Sequence, residues 1–347
     1  MPTPGRERPT LEKVALRAGV SRATASRVVN GSPKVAPEIT EAVQRAVAEL
    51  GYVPNPAARS LVTQRTDLYA LVVPEPASRV FSDDLFFPGL IKGISEELDA
   101  ADKQLVLTLT TSPTSHARIE RYALGRHVDG VMIASMHGTD PLPATLHRMG
   151  IPVVSNGRPL RPAHRDARGA AQGYFPYVDI DHAGGVESAV RYLLHSGRTR
   201  IATIAGPQDM VAGVDRLAGY RNALAGSKRR SIVAVGDFTR ESGAEAMRLL
   251  LADDPELDAV FVASDLMADG ALRTLRQAGR RVPDDVAVIG FDDVEIARYT
   301  EPPLTTVRQN ITEIGRSLAR QLLRLTDGQD VEPALILPTD LIVRDSA

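Results

Sequence analysis

Residues 10–31, TLEKVALRAGVSRATASRVVNG, decide how this chain is read. Leu11, Val14, Ala15 and Ala18 recur at helical spacing, which predicts a helix over residues 10–18. Gly19, without a Cβ, admits positive φ and a sharp reversal. Ser21 is placed to cap a second helix over residues 21–29, with Ala25, Val28 and Val29 turned inward. Its other positions carry Arg22, Ala23, Thr24, Ser26, Arg27 and Asn30, a set suited to base edges and phosphates. Two short helices around a tight turn point to a head that binds double-stranded DNA.

A third helix follows the Asn30-Gly31-Ser32 turn. Pro37 suits its first turn, where no N–H is needed, although Ala36 is a poor cap before it. Ile39, Ala42, Val43, Ala46, Val47 and Leu50 share one face, and Gly51 ends the helix. Leu11, Val14, Val20, Val28, Val29, Val43 and Leu50 form the expected core of a domain over residues 10–53, after a disordered 1–9. Residues 54–66 read as a linker with a short helix, which Asn55 can cap and Pro56 can start. Two turns are marginal alone, because nucleation outweighs so few propagated bonds. Such a helix needs a partner, either its twin in a dimer or the minor groove. Leu61 then suits a wedge between base pairs or, more plainly, a core leucine of the body.

Charge separates the head from the rest. Residues 1–66 carry ten Lys/Arg and five Asp/Glu, a formal +5, whereas the remainder carries 31 and 38, a formal −7. Only the head should attract a phosphate backbone. The chain of 347 residues is too long for one ordinary core. It has no cysteine, so disulfides and thiolate metal sites are excluded. Its seven histidines form no HExxH pattern, and no metal or cofactor is expected. The polar start is no secretory signal and no run spans a bilayer, so a cytoplasmic protein without a membrane partner is expected.

From Asp67 onward, apolar runs alternate with helical patterns. LYALVV (68–73) is continuously apolar, as a buried parallel strand should be. Further strands are predicted at 104–108, 130–133, 151–155, 176–179, 201–205, 232–235, 259–262, 286–290 and 335–338, with helices between them. Repeated βα units imply parallel sheets covered by right-handed crossovers. The break at Pro159–Gly173 suggests two lobes: one of residues 67–160 with 300–330, the other of 174–298 with 331–347. The fold class is therefore multidomain, an all-α head followed by two α/β lobes. A cleft between them is a natural small-ligand site.

The stretch LEKVALRAGVSRATASRVVNGSPKVAPEITEAVQRAVAELGYVPNPAARSL (11–61) closely resembles the LacI/GalR family of bacterial transcription regulators. LFFPGLIKGI (85–94), VDGVMI (128–133), IPVV (151–154), VDIDHAGG (178–185), DRLAGY (215–220), VIGFDD (288–293) and PLTTVRQN (303–310) extend the resemblance over the body. It implies a body like a type I periplasmic sugar-binding protein, a homodimer, and an effector that alters the head. By position it implies that Arg22, Ala23 and Arg27 reach base edges, with Arg27 able to fork onto guanine. Ser21, Thr24, Ser26 and Asn30 become positioning contacts. Leu61 becomes the minor-groove wedge, with Asn55 and Ala58 as hinge neighbours.

The same resemblance implies an effector set of Phe86, Phe87, Arg216, Tyr220, Ser264, Asp265, Asp292 and Gln309. Carboxylates and an arginine fork onto vicinal hydroxyls while rings cover an apolar sugar face. Ser264 departs from the asparagine that many sugar-responsive members carry, which removes a donor–acceptor amide. Catalysis is not expected: no GxGxxG follows the first strand, and GxxxxGK[ST] and GxSxG motifs are absent. The expected function is a repressor released from a pseudopalindromic operator by a sugar. The alternative is a purine, nucleoside or phosphometabolite corepressor, or a protein coregulator.

Overall fold

The computed structural model describes residues 9–31, 34–53, 65–83, 85–138, 140–160, 175–226 and 230–347. The hinge positions Asn55, Ala58 and Leu61, the tail before residue 9 and most of the 159–173 stretch lie outside the described residues. Two compact units divide between Thr66 and Asp67.

The first unit is all-α: α1 (Leu11–Ala18), α2 (Arg22–Val29) and α3 (Pro37–Leu50). Thr10 caps α1, and Gly19 ends it in the left-handed region at φ 68°. Ser21 accepts from the Thr24 amide and so caps α2, which starts at the next residue. Val14, Ala15, Ala25, Val43 and Ala46 are buried at the centre, with Leu11, Val20, Val28, Val29 and Leu50 packed around them. Ala36 provides no capping bond to α3, and Pro37 occupies the first turn.

The second unit has two six-stranded sheets. One contains β1 (Leu68–Val73), β2 (Gln104–Leu109), β3 (Gly130–Ile133), β4 (Val153–Asn156), β5 (Tyr177–Ile180) and β11 (Ala334–Leu337). Its order is β11-β5-β4-β3-β1-β2, and every pairing is parallel. The other contains β6 (Ile201–Ala205), β7 (Ile232–Val235), β8 (Ala259–Val262), β9 (Ala287–Asp292), β10 (Thr305–Arg308) and β12 (Asp340–Ile342). Its order is β12-β10-β9-β8-β6-β7, and only β12 runs antiparallel. The central strands, such as β1, β3 and β8, are apolar throughout because helices cover both faces.

This topology corrects the lobe boundaries expected from sequence. β5 completes the first sheet although its residues were grouped with the second set. β10 belongs to the second sheet and β11 to the first, the reverse of the expected partition. The chain therefore crosses between lobes three times: after β5, after β10 and after β11. The helix α12 (Ile311–Thr326) follows the second crossing and packs on α5 (Phe86–Ala100) in the first lobe. Their backbones touch: a Cβ on Gly93 would lie 2.0 Å from the Thr312 carbonyl, and one on Gly315 would lie 2.3 Å from that of Leu90.

Candidate functional site

In the head, α2 leaves Arg22, Ala23 and Arg27 exposed, while Ala25 on the opposite face is buried. Ser21 and Thr24 share a hydroxyl contact of 2.9 Å, and Asn30 donates to Ser26 at 3.3 Å. These four polar side chains are thus preset by the helix itself. Arg22 pairs with Glu12 of α1 at 2.6 Å. Both ends are solvated, so a phosphate or base can replace the carboxylate at small cost.

In the body, loops at the carboxyl ends of both sheets face each other across a cleft, as the topology of parallel sheets requires. The cavity there has a volume near 550 Å³, within the range of about 300–1,000 Å³ usual for small-molecule sites. Arg216 projects into it from α9 (Val211–Leu224), and Asp292 ends β9. Asp292 sits at φ 115° and Asp293 at φ 53°, a left-handed pair that is costly for non-glycine residues. Asp293 is held by Arg308 at 2.8 Å and also by Arg344, which braces the turn.

The Arg216 Nη1 donates to the Ala263 carbonyl at 2.6 Å and to Asp292 at 3.3 Å. Its guanidinium lies 3.7 Å from the Phe291 ring centroid, with Phe238 on another side at 5.7 Å. Burial pulls the Arg216 pKa down, and Asp292 opposes that pull. Gln309 donates to Asp292 at 2.5 Å from the second crossover. Asp292 thus gathers an arginine and an amide, leaving a polar row on the cleft floor.

Of the residues expected from sequence, Phe86, Phe87, Arg216, Ser264, Asp292 and Gln309 line this cavity. Two expectations are corrected. Tyr220 is fully buried in the second lobe, and its hydroxyl donates to the Ile201 carbonyl at 2.8 Å and accepts from the Ile232 amide at 3.1 Å. One helical turn beyond Arg216, it has passed below the strand ends and stitches β6 to β7. Asp265 is also fully buried, accepting from Thr306 at 2.6 Å and from the Val294 amide at 3.0 Å. Burial, then the nearby Asp292 charge, pushes its pKa well up. Asp265 shapes the turn behind the cleft, so the two acids do not face one substrate. Ser264 lines the cavity but also caps α11 (Asp265–Gln277), accepting from the Met267 amide at 3.2 Å.

Sequence reading missed Phe238, Asp179, His182, Arg79 and Asn156, which also line the cavity. Asp179 and His182 stood in the VDIDHAGG motif, so a signal was present. Phe238 is a lone ring in a polar loop and offered none. The lobes are tied around the mouth by side chains from both sides. His137 joins Glu75 of the first lobe at 3.0 Å to Asp209 of the second at 2.9 Å. Arg79 donates to the Asp237 carbonyl at 3.0 Å, Arg158 pairs with Asp215 at 2.6 Å, and Arg240 pairs with Asp83 at 3.2 Å.

A helix-turn-helix head followed by a two-lobed body with a ligand-sized cleft defines a non-catalytic, ligand-responsive transcription regulator. The model of the lacI family of bacterial regulatory proteins matches residues 10–55, and that of periplasmic binding protein-like domains matches residues 190–347. The HTH-type transcriptional regulator CelR of Thermobifida fusca is 50% identical over 345 residues, covering 98% of this chain and 99% of its own. Among solved structures, a CelR–cellobiose complex is 48% identical with a TM-score of 0.75, covering 98% of this chain and 100% of its own. A Lac repressor dimer bound to operator and the anti-inducer ONPF is 27% identical with a TM-score of 0.83, covering 98% of this chain and 99% of its own. The chain belongs to the LacI family and is a sequence-specific DNA-binding regulator. Among the described residues, no helix is long and apolar enough to cross a membrane.

Proposed function

We propose that this protein is a homodimeric repressor released from a pseudopalindromic operator by a sugar, with cellobiose the leading candidate. The observation that carries the reading is the Arg216–Asp292–Gln309 row on the cleft floor, flanked by the Phe86 and Phe238 rings. Carboxylate oxygens accept from hydroxyls, guanidinium donates to them, and rings cover the apolar face of a pyranose. The cavity admits more than one sugar ring, and the 50% identity to CelR supports the β-linked glucose disaccharide. In the head, Arg27 reads a base edge, Arg22 trades Glu12 for the operator, and Ser21, Thr24, Ser26 and Asn30 set the register.

The test is fluorescence anisotropy with a duplex from the protein's own upstream region and panels of sugars and nucleobases. Cellobiose at saturating concentration should dissolve the complex. Tighter binding with a purine, or indifference to every sugar, would overturn the effector reading. In the same assay Arg27→Ala should cost about 1–3 kcal/mol of discrimination at one position per half-site. A uniform loss over all sequences would reassign Arg27 to phosphate.

A further inference from the structure

We propose that His182 is a positioning residue of the effector cleft, a neutral imidazole relay that fixes the angle of Arg216 and ties it to Asp179 of the opposite lobe. The inference rests on the reading of the cleft as the effector site. Asp179 lies on β5 in the first lobe, and His182 opens α8 (His182–His195) in the second. His182 therefore sits on the first of the three crossovers.

Both ring nitrogens are engaged. Nδ1 lies 3.2 Å from Nε of Arg216, and Nε2 lies 3.0 Å from a carboxylate oxygen of Asp179. Guanidinium has donors only, so Nδ1 must accept and carries no proton. The one ring proton therefore sits on Nε2 and is donated to Asp179. A single neutral tautomer satisfies both contacts. An imidazolium would aim an N–H at an N–H and place a second buried cation against Arg216.

The surroundings agree with that state. Asp179 faces the ring from β5, Asp215 and Arg216 from α9, and Asp292 from β9 beyond the guanidinium, while Arg158 neutralises Asp215 from the loop after β4. Burial pushes the imidazole pKa below its ordinary value, the Asp179 bond opposes this, and the Arg216 charge adds to the lowering. Phe291 fixes the plane of the guanidinium and His182 fixes its rotation within that plane. Nη1 is engaged by Ala263 and Asp292, so the guanidinium is held through both Nε and Nη1. An apolar side chain would fill the same space but strand Nε of Arg216 and one acceptor of Asp179.

The relay has a second consequence. Asp179, His182, Arg216, Asp292 and Gln309 form one continuous chain of contacts. It begins at the first crossover and ends at the second, between β10 and α12. A ligand hydroxyl on Arg216 or Asp292 therefore meets the middle of a chain anchored at two of the three connections between the lobes.

The test compares the parent with His182→Gln and His182→Leu. Glutamine carries an acceptor and a donor on one planar group and does not titrate; leucine carries neither. Calorimetry with cellobiose between about pH 5 and 8 should show parent affinity that falls on the acid side. His182→Gln should stay within a few-fold of the parent at neutral pH and lose that acid-side fall. His182→Leu should lose about tenfold or more. Nitrogen-15 spectra of the unliganded parent should show a neutral His182 protonated at Nε2 at pH 7. An imidazolium or an Nδ1–H tautomer there, or parent-like affinity of His182→Leu, would overturn the relay. If the parent binds no sugar, the effector reading fails, while the tautomer still decides the relay. If His182→Leu does not fold, the glutamine variant and the tautomer decide it.

Discussion

At the mouth of the cleft, the His137 side chain is 34% exposed and bridges two carboxylates, Glu75 and Asp209. On the floor, His182 is 7% exposed and bridges a carboxylate and a guanidinium. The bonds from Glu75 and then Asp209 raise the His137 pKa against burial. Burial lowers that of His182. Glu75 follows the same logic in reverse: burial alone would raise it, but bonds from His137 and Ser135 bring it below the usual range. The mouth is thus a charged clamp that closes by pairing opposite signs in partial solvent. The floor is a desolvated network in which each proton has one allowed place.

The largest expected effect lies on the floor. Arg216→Ala leaves Asp292 and Asp179 without their buried cation and should cost about 3–5 kcal/mol of stability, read by denaturant unfolding. A loss under about 1 kcal/mol, typical of exposed pairs, would make the floor energetically equivalent to the mouth. Asp292→Asn should come next. An amide offers one acceptor oxygen in place of two, so effector affinity should fall by about 1.5–3 kcal/mol with operator binding unchanged. Joint loss of both functions would make Asp292 a structural brace of its left-handed turn.

The smallest effect belongs to the mouth. His137→Gln should cost about 1 kcal/mol or less, since solvent screens the Asp209 contact and Ser135 and Arg79 still satisfy the buried Glu75. Its pH dependence is more telling than its size. A raised folded pKa means that the clamp's contribution is fully present below 6.5 and lost as pH rises through the folded value. His182 has the opposite sign: its contribution is present above 6.5 and lost as pH falls through its lowered folded value. Stability differences between parent and His137→Gln, and between parent and His182→Gln, should therefore slope oppositely with pH. Parallel slopes would abolish the contrast between floor and mouth.

Much of this was legible in the chain. The head could be read because its periodicity, Gly19 turn and Ser21 cap agree over a few residues. Most body strands declared themselves as apolar runs. Strand β10 did not, because Thr305 and Thr306 are buried polar residues with their hydroxyls bonded to Arg344 and Asp265. The lobe boundaries failed for a related reason. The crossings pass through only one or two residues, Asp181, Gln309-Asn310 and Pro338-Thr339, too few to read as linkers, and the first two carry no glycine or proline punctuation. Tyr220 and Asp265 lie one turn or one residue from true cleft positions. Their depth depends on where the strands end, which residue type alone does not fix.

The three crossovers also set an order of events during synthesis. The head's contacts close within residues 11–52, so they can form as soon as that segment is free of the ribosome. Neither body sheet can gain its last strand until β11 and β12 emerge: β12 closes on β10 only a helix and a strand earlier, whereas β11 pairs with β5, made long before. Distant pairings of this kind are the slow part of folding, and chains generally fold from the N-terminus as they appear. Every molecule of this regulator therefore passes through a period in which its DNA-reading helices exist and its sensor does not.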